Sequence, residues 1–381
     1  HPPASSTTSL YIPGASQAVA SLAGAATSRI LLGGNTLTVG FGTAPNSNGT
    51  SGANFEGAIS GVGTLIKDDA STQILSGANT YVGLTNVNAG SLTIASDTAL
   101  GSTASPGSVT NVLGDASLAL QDGITSGERI TLFNNASLTN NSSTNTLSNL
   151  LLVEHDINGP SAGQKMAAIG ALDGQLNLTG GIDDHAARFS SNPEMNLALN
   201  TGVNDDGTVH IDSVIDSSIR DITIGRATNN SNTSGTVILS GNNQHSGDTF
   251  LDGGPVRLGN DGNNSRAFGS SAVTVNNSNY LIGAATGPGA QLLNSINLNA
   301  GSTLNTQDSM GLGGNISGAG SLTVATGTLS LFGNSANTWS GSTTVADGAT
   351  LNTLNSDRIS DSSALTVDGN LSLGGSETVL N

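Results

Sequence analysis

The residues with the most chemical potential in this sequence form two short acidic stretches. In the first, Asp183, Asp184 and His185 place two carboxylates beside an imidazole, a set that could ligate a metal ion or transfer protons in hydrolysis. Asp-rich stretches are also ordinary solvent-exposed turns. We therefore interpret this stretch first as a turn, and retain its three residues as candidates for contact with a partner.

The second stretch, Asn204, Asp205 and Asp206 before Gly207, offers hard oxygen ligands of the kind that Ca²⁺ prefers. Asn-Asp and Asp-Gly are again common turn sequences, and the turn is the simpler interpretation. Asp205 and Asp206 remain the Ca²⁺ candidates of the sequence.

Signatures of known catalytic sites are missing from the rest of the sequence. It contains no G-x-S-x-G nucleophile elbow, no H-E-x-x-H zinc motif, no Walker A loop and no G-G-x-G-x-D calcium repeat. Paired carboxylates of a polysaccharide-active enzyme would need aromatic platforms, and the chain has one Trp and three Tyr. The sequence therefore predicts a protein that is not an enzyme and has no cofactor.

Trp339 occupies a position that recurs along the chain. Residues 74–94 and 238–258 align without a gap, and a third copy at 336–348 places Trp339 opposite Tyr81 and His245. Because the three rings share one repeat position, we expect them to cover the edge of a structural repeat. Contact with a receptor is the alternative, and it makes Trp339 a candidate partner-binding residue.

The elements that carry these residues are predicted to be short strands. Hydrophobic and polar residues alternate in segments such as 36–39, 91–94, 117–120, 175–178, 321–324, 328–331, 365–367 and 370–373, separated by Gly, Asn and Asp. Helical periodicity is nearly absent, and only 16–28 and 165–172 leave a short helix open.

Recurrence of one unit at long spacing favours a solenoid over an antiparallel sandwich, because each turn of a solenoid meets the same environment. We predict an all-β, right-handed parallel β-helix of about 16–18 coils with roughly 20–25 residues each, a single rod over 1–381. Its repeat copies lie near 57–102, 223–281 and 314–375. The less regular segment 150–221 is either a decorated stretch of the solenoid or an inserted subdomain.

Composition narrows the possible partners. The chain has 10 Lys and Arg against 27 Asp and Glu, so its net charge of −17 disfavours nucleic acid and anionic membranes. It has no Cys, which excludes disulfides and Cys-ligated metal. Neither a signal peptide nor an apolar run long enough to span a membrane is visible.

The repeat itself resembles a known family. The pattern I-S-G-x-G-[ST]-L followed by L-S-G-x-N-T-[YW]-x-G-x-T-x-V-x-x-G-x-L, found at 59–94, 237–258 and 316–351, is similar to the passenger-associated transport repeat of bacterial autotransporters, the type V secreted surface proteins. The resemblance implies a right-handed parallel β-helix passenger on a Gram-negative cell surface or secreted from it. It also implies a translocator β-barrel beyond the C-terminus. Pro255 and Arg257 are expected to interrupt the strand of the middle copy.

On this basis the expected function is adhesion. The passenger would attach to a host-cell or extracellular-matrix receptor or an abiotic surface, or pair with copies of itself on neighbouring cells, as in biofilm formation. Two alternatives stay open: a toxin-like or carrier passenger that delivers an effector, and a polysaccharide-active enzyme or hydrolase with a site in 150–221.

Overall fold

Parallel β-strands make up the regular structure of the chain. The computed structural model describes residues 9–12, 14–40, 52–104, 107–154, 166–184, 195–202, 205–226, 235–259, 266–283 and 290–377. Within them there is no helix, and the chain divides into two compact units, His1–Phe189 and Ser190–Asn381.

Unit 1 contains the strands β1 to β18. Their bounds are β1 Ser9–Tyr11, β2 Gln17–Val19, β3 Arg29–Leu31, β4 Thr36–Val39, β5 Ala53–Phe55, β6 Ala58–Ser60, β7 Thr64–Leu75, β8 Thr85–Ile94, β9 Thr110–Val112, β10 Ser117–Leu120, β11 Thr125–Ser126, β12 Ile130–Phe133, β13 Ser137–Asn140, β14 Thr144–Leu147, β15 Leu151–Glu154, β16 Met166–Ala171, β17 Gln175–Leu178 and β18 Ile182–Asp184.

Unit 2 contains the strands β19 to β37. Their bounds are β19 Asn196–Leu199, β20 Thr208–Ile211, β21 Ile222–Ile224, β22 Val237–Leu239, β23 Thr249–Leu251, β24 Gly254–Leu258, β25 Val273–Val275, β26 Asn279–Ile282, β27 Ala290–Leu292, β28 Ile296–Leu298, β29 Thr303–Gln307, β30 Met310–Leu312, β31 Ile316–Gly318, β32 Ser321–Val324, β33 Thr328–Leu331, β34 Thr343–Val345, β35 Thr350–Thr353, β36 Leu365–Val367 and β37 Asn370–Leu373.

Successive turns of the chain place equivalent residues side by side. In unit 1, Leu92 of β8 pairs with Leu118 of β10, which pairs with Leu138 of β13, and Leu138 pairs with Ile169 of β16. All four side chains are buried, so they form one apolar column across four turns. Each buried aliphatic side chain contributes about 1.5–3 kcal/mol to folding. The predicted all-β parallel solenoid is confirmed.

The number of turns is smaller than predicted. The described strands make about 14 turns, where 16–18 were expected. The chain advances 26 residues from Ser91 to Ser117, 20 from Ser117 to Ser137 and 31 from Ser137 to Ala168. Some turns therefore hold more than the expected 20–25 residues, and the same chain completes fewer of them.

Two local expectations also change. The middle repeat is not interrupted, because Pro255 and Arg257 lie within β24 and pair in register with Tyr280 and Ile282 of β26. The strand alternates buried and half-buried residues, with Pro255 and Arg257 at the half-buried positions. In addition, the two stretches in which the sequence allowed a short helix, 16–28 and 165–172, contain the strands β2 and β16 instead.

The segment 150–221 has described strands in both units. In unit 1, β15 pairs with β12 and β18, and β17 pairs with β14. In unit 2, β19 pairs with β21 and β20 with β22. Its described strands thus follow the parallel pattern of their neighbours. An inserted subdomain at 150–221 stays a prediction, and 155–165, 185–194 and 203–204 of that segment lie outside the described residues.

Candidate functional site

The three rings of the recurring position lie inside the solenoid. Tyr81, His245 and Trp339 each have 0% of their surface exposed. In every copy the ring is hydrogen-bonded to the Thr four residues later, which begins the next strand. The pairs are Tyr81 Oη with Thr85 Oγ1 at 2.5 Å, His245 Nε2 with Thr249 Oγ1 at 3.0 Å, and Trp339 Nε1 with Thr343 Oγ1 at 3.0 Å.

This placement corrects two expectations. A fully buried Trp339 offers no surface to a partner, so its assignment as a partner-binding candidate is wrong. The rings also fill the interior, whereas an edge cover would lie outside it. Sequence alone does not separate these cases, because an amphipathic ring suits both a dry pocket with one hydrogen-bond partner and a wet surface.

An Asn two residues before each ring joins three successive turns, and we call this residue the clamp. Its side-chain oxygen accepts a backbone N–H from the preceding turn, and its side-chain nitrogen donates to a backbone carbonyl of the following turn. The accepted bonds run from Ile59 N to Asn79, Ile215 N to Asn243 and Ile316 N to Asn337, at 2.8, 2.9 and 2.8 Å. The donated bonds run from Asn79 to Ala99 O, Asn243 to Ala267 O and Asn337 to Arg358 O, at 2.5, 2.7 and 2.7 Å.

Next to the Tyr81 ring, unit 1 buries a carboxyl group. Glu128 is 3% exposed, and its Oε1 accepts a hydrogen bond from Thr110 Oγ1 at 3.3 Å. Burial raises the pKa of Glu128 to about 7, although the bond from Thr110 opposes the shift. Burial also raises the pKa of Tyr81, and the charge of Glu128 adds to that effect while the bond to Thr85 opposes it.

Unit 1 also contains a buried Lys. Lys67 occupies an interior position of β7, between Val39 of β4 and Val87 of β8, and is 1% exposed. Its ammonium contacts Asp69 Oδ1 at 2.5 Å and donates to the carbonyl of Ala89 at 3.2 Å. Burial raises the pKa of Asp69, but hydrogen bonds from Lys67 and from Ser71 outweigh burial and hold that pKa below its usual value. The pair neutralises a charge that the interior otherwise excludes.

The first acidic stretch is not a solvent turn. Asp183 and Asp184 belong to β18, beside Leu152 and Val153 of β15, and they are 2% and 1% exposed. They provide no accessible surface for a partner, which corrects their candidate role. His185, the third member, lies outside the described residues. The sequence did not reveal this burial because Asp is a rare residue in a strand interior.

In the second stretch, Asp205 is 7% exposed and Asp206 is exposed. Asp205 Oδ2 accepts the backbone N–H of Gly202 at 2.6 Å, an arrangement that stabilises a local turn. Burial raises the pKa of Asp205, opposed by the Gly202 bond and assisted by the charge of Asp206. Across the described part of the chain, no three His, Cys, Asp or Glu residues are grouped to hold a metal ion. Ca²⁺ binding by Asp205 and Asp206 therefore stays a prediction.

The outer surface of unit 2 carries hydrogen-bonded amides that connect neighbouring turns. Asn276 Nδ2 donates to Asp252 Oδ1 at 2.6 Å, and Asn299 Nδ2 donates to Asn276 Oδ1 at 2.7 Å. Asn297 Nδ2 then donates to Asn299 Oδ1 at 2.9 Å. We call these four residues the amide ladder. They are exposed or half-buried, so their remaining donors and acceptors face water.

The clamp and the buried Lys67–Asp69 pair escaped the sequence analysis. Asn79 and Asn337 were visible as matched repeat residues, but Asn is so frequent in the turns of this chain that the match alone did not indicate an interior position. The usable signal was the constant spacing of Asn, ring and Thr in all three copies. Lys67 had no comparable signal, because neither of the other two copies of the repeat contains Lys.

The comparisons with known proteins agree with this geometry. The family model described as Passenger-associated-transport-repeat matches residues 65–94, 234–258 and 317–352, so the three predicted copies are confirmed. Each matched segment includes a Thr that anchors a ring. No helix among the described residues has the length and hydropathy needed to cross a membrane.

A curated relative is the "Adhesin BmaC autotransporter" of Brucella suis biovar 1 (strain 1330), 43% identical over 86 residues. The aligned region covers 18% of this chain and 2% of that protein, so the chain spans only a small part of the relative's length. No solved structure matches the chain. The chain carries the passenger-associated transport repeats of autotransporter passengers, and its sequence is adhesin-like.

Proposed function

We propose that this chain is an adhesive module on the surface of a Gram-negative bacterium, or is secreted from it. It attaches the cell to a host or abiotic surface, or to copies of itself on neighbouring cells, and so promotes biofilm formation. The similarity to an autotransporter adhesin and the three passenger-associated repeats support this function.

The amide ladder of unit 2 is the observation that carries the proposal. Each Asn side chain has both donors and an acceptor. Asp252, Asn276 and Asn299 follow one another on three successive turns, about 4.8 Å apart. A second array with the same spacing can therefore be matched group by group. One such hydrogen bond contributes only about 1 kcal/mol net, and strength comes from many bonds made at once.

Charge favours a contact made mainly of neutral groups. With 27 acidic residues against 10 Lys and Arg, two copies of the chain repel each other at long range. Of the four ladder residues only Asp252 is ionisable, and its carboxylate already accepts a bond from Asn276. The ladder is thus a place where two copies can approach with little added repulsion.

The test couples the full chain to beads and measures bead clustering, and also measures attachment of the beads to host-cell and plastic surfaces. The variant Asn276→Asp with Asn299→Asp replaces two amides with carboxylates of the same shape beside Asp252. We expect clustering or attachment to fall at least tenfold, because like charges one turn apart repel incoming acceptors.

Asn86→Asp with Asn111→Asp is the matched control. Asn111 Nδ2 donates to Asn86 Oδ1 at 3.0 Å in unit 1, so the double substitution adds the same two charges at an amide pair outside the ladder. This control should retain adhesion. Equal loss in the control and the ladder variant would reject the ladder as the contact surface, and wild-type beads that neither cluster nor attach would reject adhesion itself.

A further inference from the structure

Of the three residues at the shared interior position, Tyr81, His245 and Trp339, His245 is the one that can become a cation in acid. Tyr and Trp stay neutral in ordinary conditions, whereas an imidazole in water takes up a proton near pH 6.5. All three side chains are fully buried. The middle repeat, in unit 2, therefore differs chemically from the other two although its geometry is the same.

The pocket of His245 accommodates one hydrogen bond to the ring. Nε2 lies 3.0 Å from Thr249 Oγ1, and Nδ1 has no hydrogen-bond partner among the described residues. Gly269 covers the ring: its φ is +60°, and a Cβ there would come within 3.0 Å of Nδ1. Among the described residues, no acceptor is thus in place for the second N–H that protonation would create.

Charged residues on the adjoining turns do not compensate for a cation at this position. They are Asp216, Arg220 and Asp221 on the preceding turn, Asp248 on the same turn and Arg266 on the following turn. The carboxylate of Asp221 is engaged elsewhere: it lies 3.4 Å from Arg220 Nε and accepts the N–H of Asp248 at 3.0 Å. Burial is the sole cause of the lowered pKa of His245, which is about 4.

The ring sits between tightly bonded pieces of backbone. Gln244 N and Ser246 N donate to Ile215 O and Ile219 O of the preceding turn, at 2.8 and 2.9 Å. The clamp Asn243 joins the same turn to Ala267 of the following one. A ring that must leave its pocket to become hydrated therefore disturbs the bonds on both sides.

We propose that His245 is an acid-sensitive latch: protonation of its ring expels it from the interior and opens the turns of unit 2 around the middle repeat. The direction of the pH dependence follows from the linkage between proton binding and folding. The unfolded chain takes up a proton near pH 6.5 and the folded chain near pH 4, so stability is complete above about 6.5 and is lost as the pH falls toward 4.

The test uses the full chain and the fluorescence of Trp339, which is the only Trp and lies in unit 2. Urea unfolding is measured from pH 7.5 to 4.5 for the wild type and for His245→Tyr, which installs the ring of the first repeat. Between these pH values we expect the wild-type folding constant to fall on the order of 50- to 100-fold more than that of the variant. Parallel pH profiles would overturn the proposal.

His210→Gln is the control within the same unit. His210 is 23% exposed and bonded to Ser240 Oγ at 2.9 Å, so its replacement should leave the acid sensitivity of the wild type unchanged. If Tyr does not fit the pocket, His245→Gln serves as a second variant, because Gln cannot become a cation.

A direct measurement decides the question even if both His245 variants fail to fold. NMR of the wild type with labelled His follows the five rings, and variants at the other four assign the His245 signal by elimination. A ring that stays neutral down to about pH 4, with unit 2 opening as it titrates, supports the latch. A ring that titrates near pH 6.5 in a folded protein overturns it.

Discussion

The side-chain oxygen of Asn79 accepts the backbone N–H of Ile59 at 2.8 Å, while its nitrogen reaches the carbonyl of Ala99 on the opposite side. One buried amide thereby satisfies two backbone groups that belong to different turns. Asn243 and Asn337 make the same two bonds, so this link between turns is present in all three copies of the transport repeat.

Replacing Asn79 with Ala should destabilise unit 1 by about 2–4 kcal/mol, because a buried N–H and a buried carbonyl both lose their partner. Urea unfolding followed by circular dichroism measures the loss. Asn88→Ala is the control: Asn88 is exposed on the same unit, and its removal should change stability by no more than about 0.5 kcal/mol. Similar losses for the two variants would contradict the clamp.

Glu128→Gln should remove a pH dependence from unit 1. The folded state favours the protonated carboxyl, so its contribution is complete below about pH 4.5 and is lost as the pH rises through about 7. Between these limits the free energy of unfolding of the wild type should fall by up to about 3 kcal/mol, whereas that of the variant should not change for this reason. Unfolding measured at pH 5 and pH 8 tests the slope, and an equal slope in both proteins would show that Glu128 is not the titrating group.

Trp339→Phe separates an interior role from a role in binding. The substitution removes the bonds from Nε1 to Thr343 Oγ1 and Ser363 Oγ, at 3.0 and 3.1 Å, and leaves a small cavity. We expect a loss of about 2 kcal/mol in stability and no change in bead clustering under conditions where the variant is folded. Reduced adhesion by a fully folded variant would restore Trp339 as a contact residue.

Asp69→Asn should cost about 3–5 kcal/mol, because it leaves the buried ammonium of Lys67 without a counter-charge. Lys67→Leu is the informative companion, since it removes the cation and leaves a carboxylate that is 19% exposed and that Ser71 still holds at 2.6 and 3.1 Å. We expect the second variant to be clearly more stable than the first in chemical denaturation. The reverse order would mean that the interior does not penalise the unpaired cation.

Salt should strengthen self-association. The charge of −17 on each copy repels its neighbour over about 8–10 Å at moderate ionic strength, and added salt shortens this range. Light scattering of the coated beads should therefore show faster clustering at 0.5 M than at 0.05 M NaCl. Clustering that declines steeply with salt would indicate an oppositely charged receptor instead of a second copy.

The strands were well predicted because alternation reports directly on which side of a strand is buried. Gln175–Leu178 and Thr328–Leu331 begin and end where the sequence pattern placed them. The prediction that Pro255 interrupts its strand was wrong. Whether Pro interrupts a strand depends on which side of the strand it occupies, and Pro255 occupies a half-buried position of β24. Coil number was overestimated because loop length between strands, as from Ser137 to Ala168, has no periodic signal.

The interior polar residues were harder to predict than the strands. Asn, Thr and Asp usually indicate turns, yet Asn79 and Thr85 are buried, and so are Asp183 and Asp184. Their burial depends on partners in other turns, 20 residues away for Asn79 and Ile59, and composition carries no information about such pairs. The repeat located these residues without revealing which way they face.

The partners of the clamp have an evolutionary consequence. Asn79, Asn243 and Asn337 bond to main-chain atoms of the adjoining turns, so they impose no demand on the side chains there. A gene segment that encodes one such turn can be duplicated or recombined into a new neighbourhood and still find an N–H on one side and a carbonyl on the other. Divergence of the ring to Tyr, His or Trp leaves these main-chain bonds in place, and we expect such a chain to lengthen or shorten by whole turns under selection.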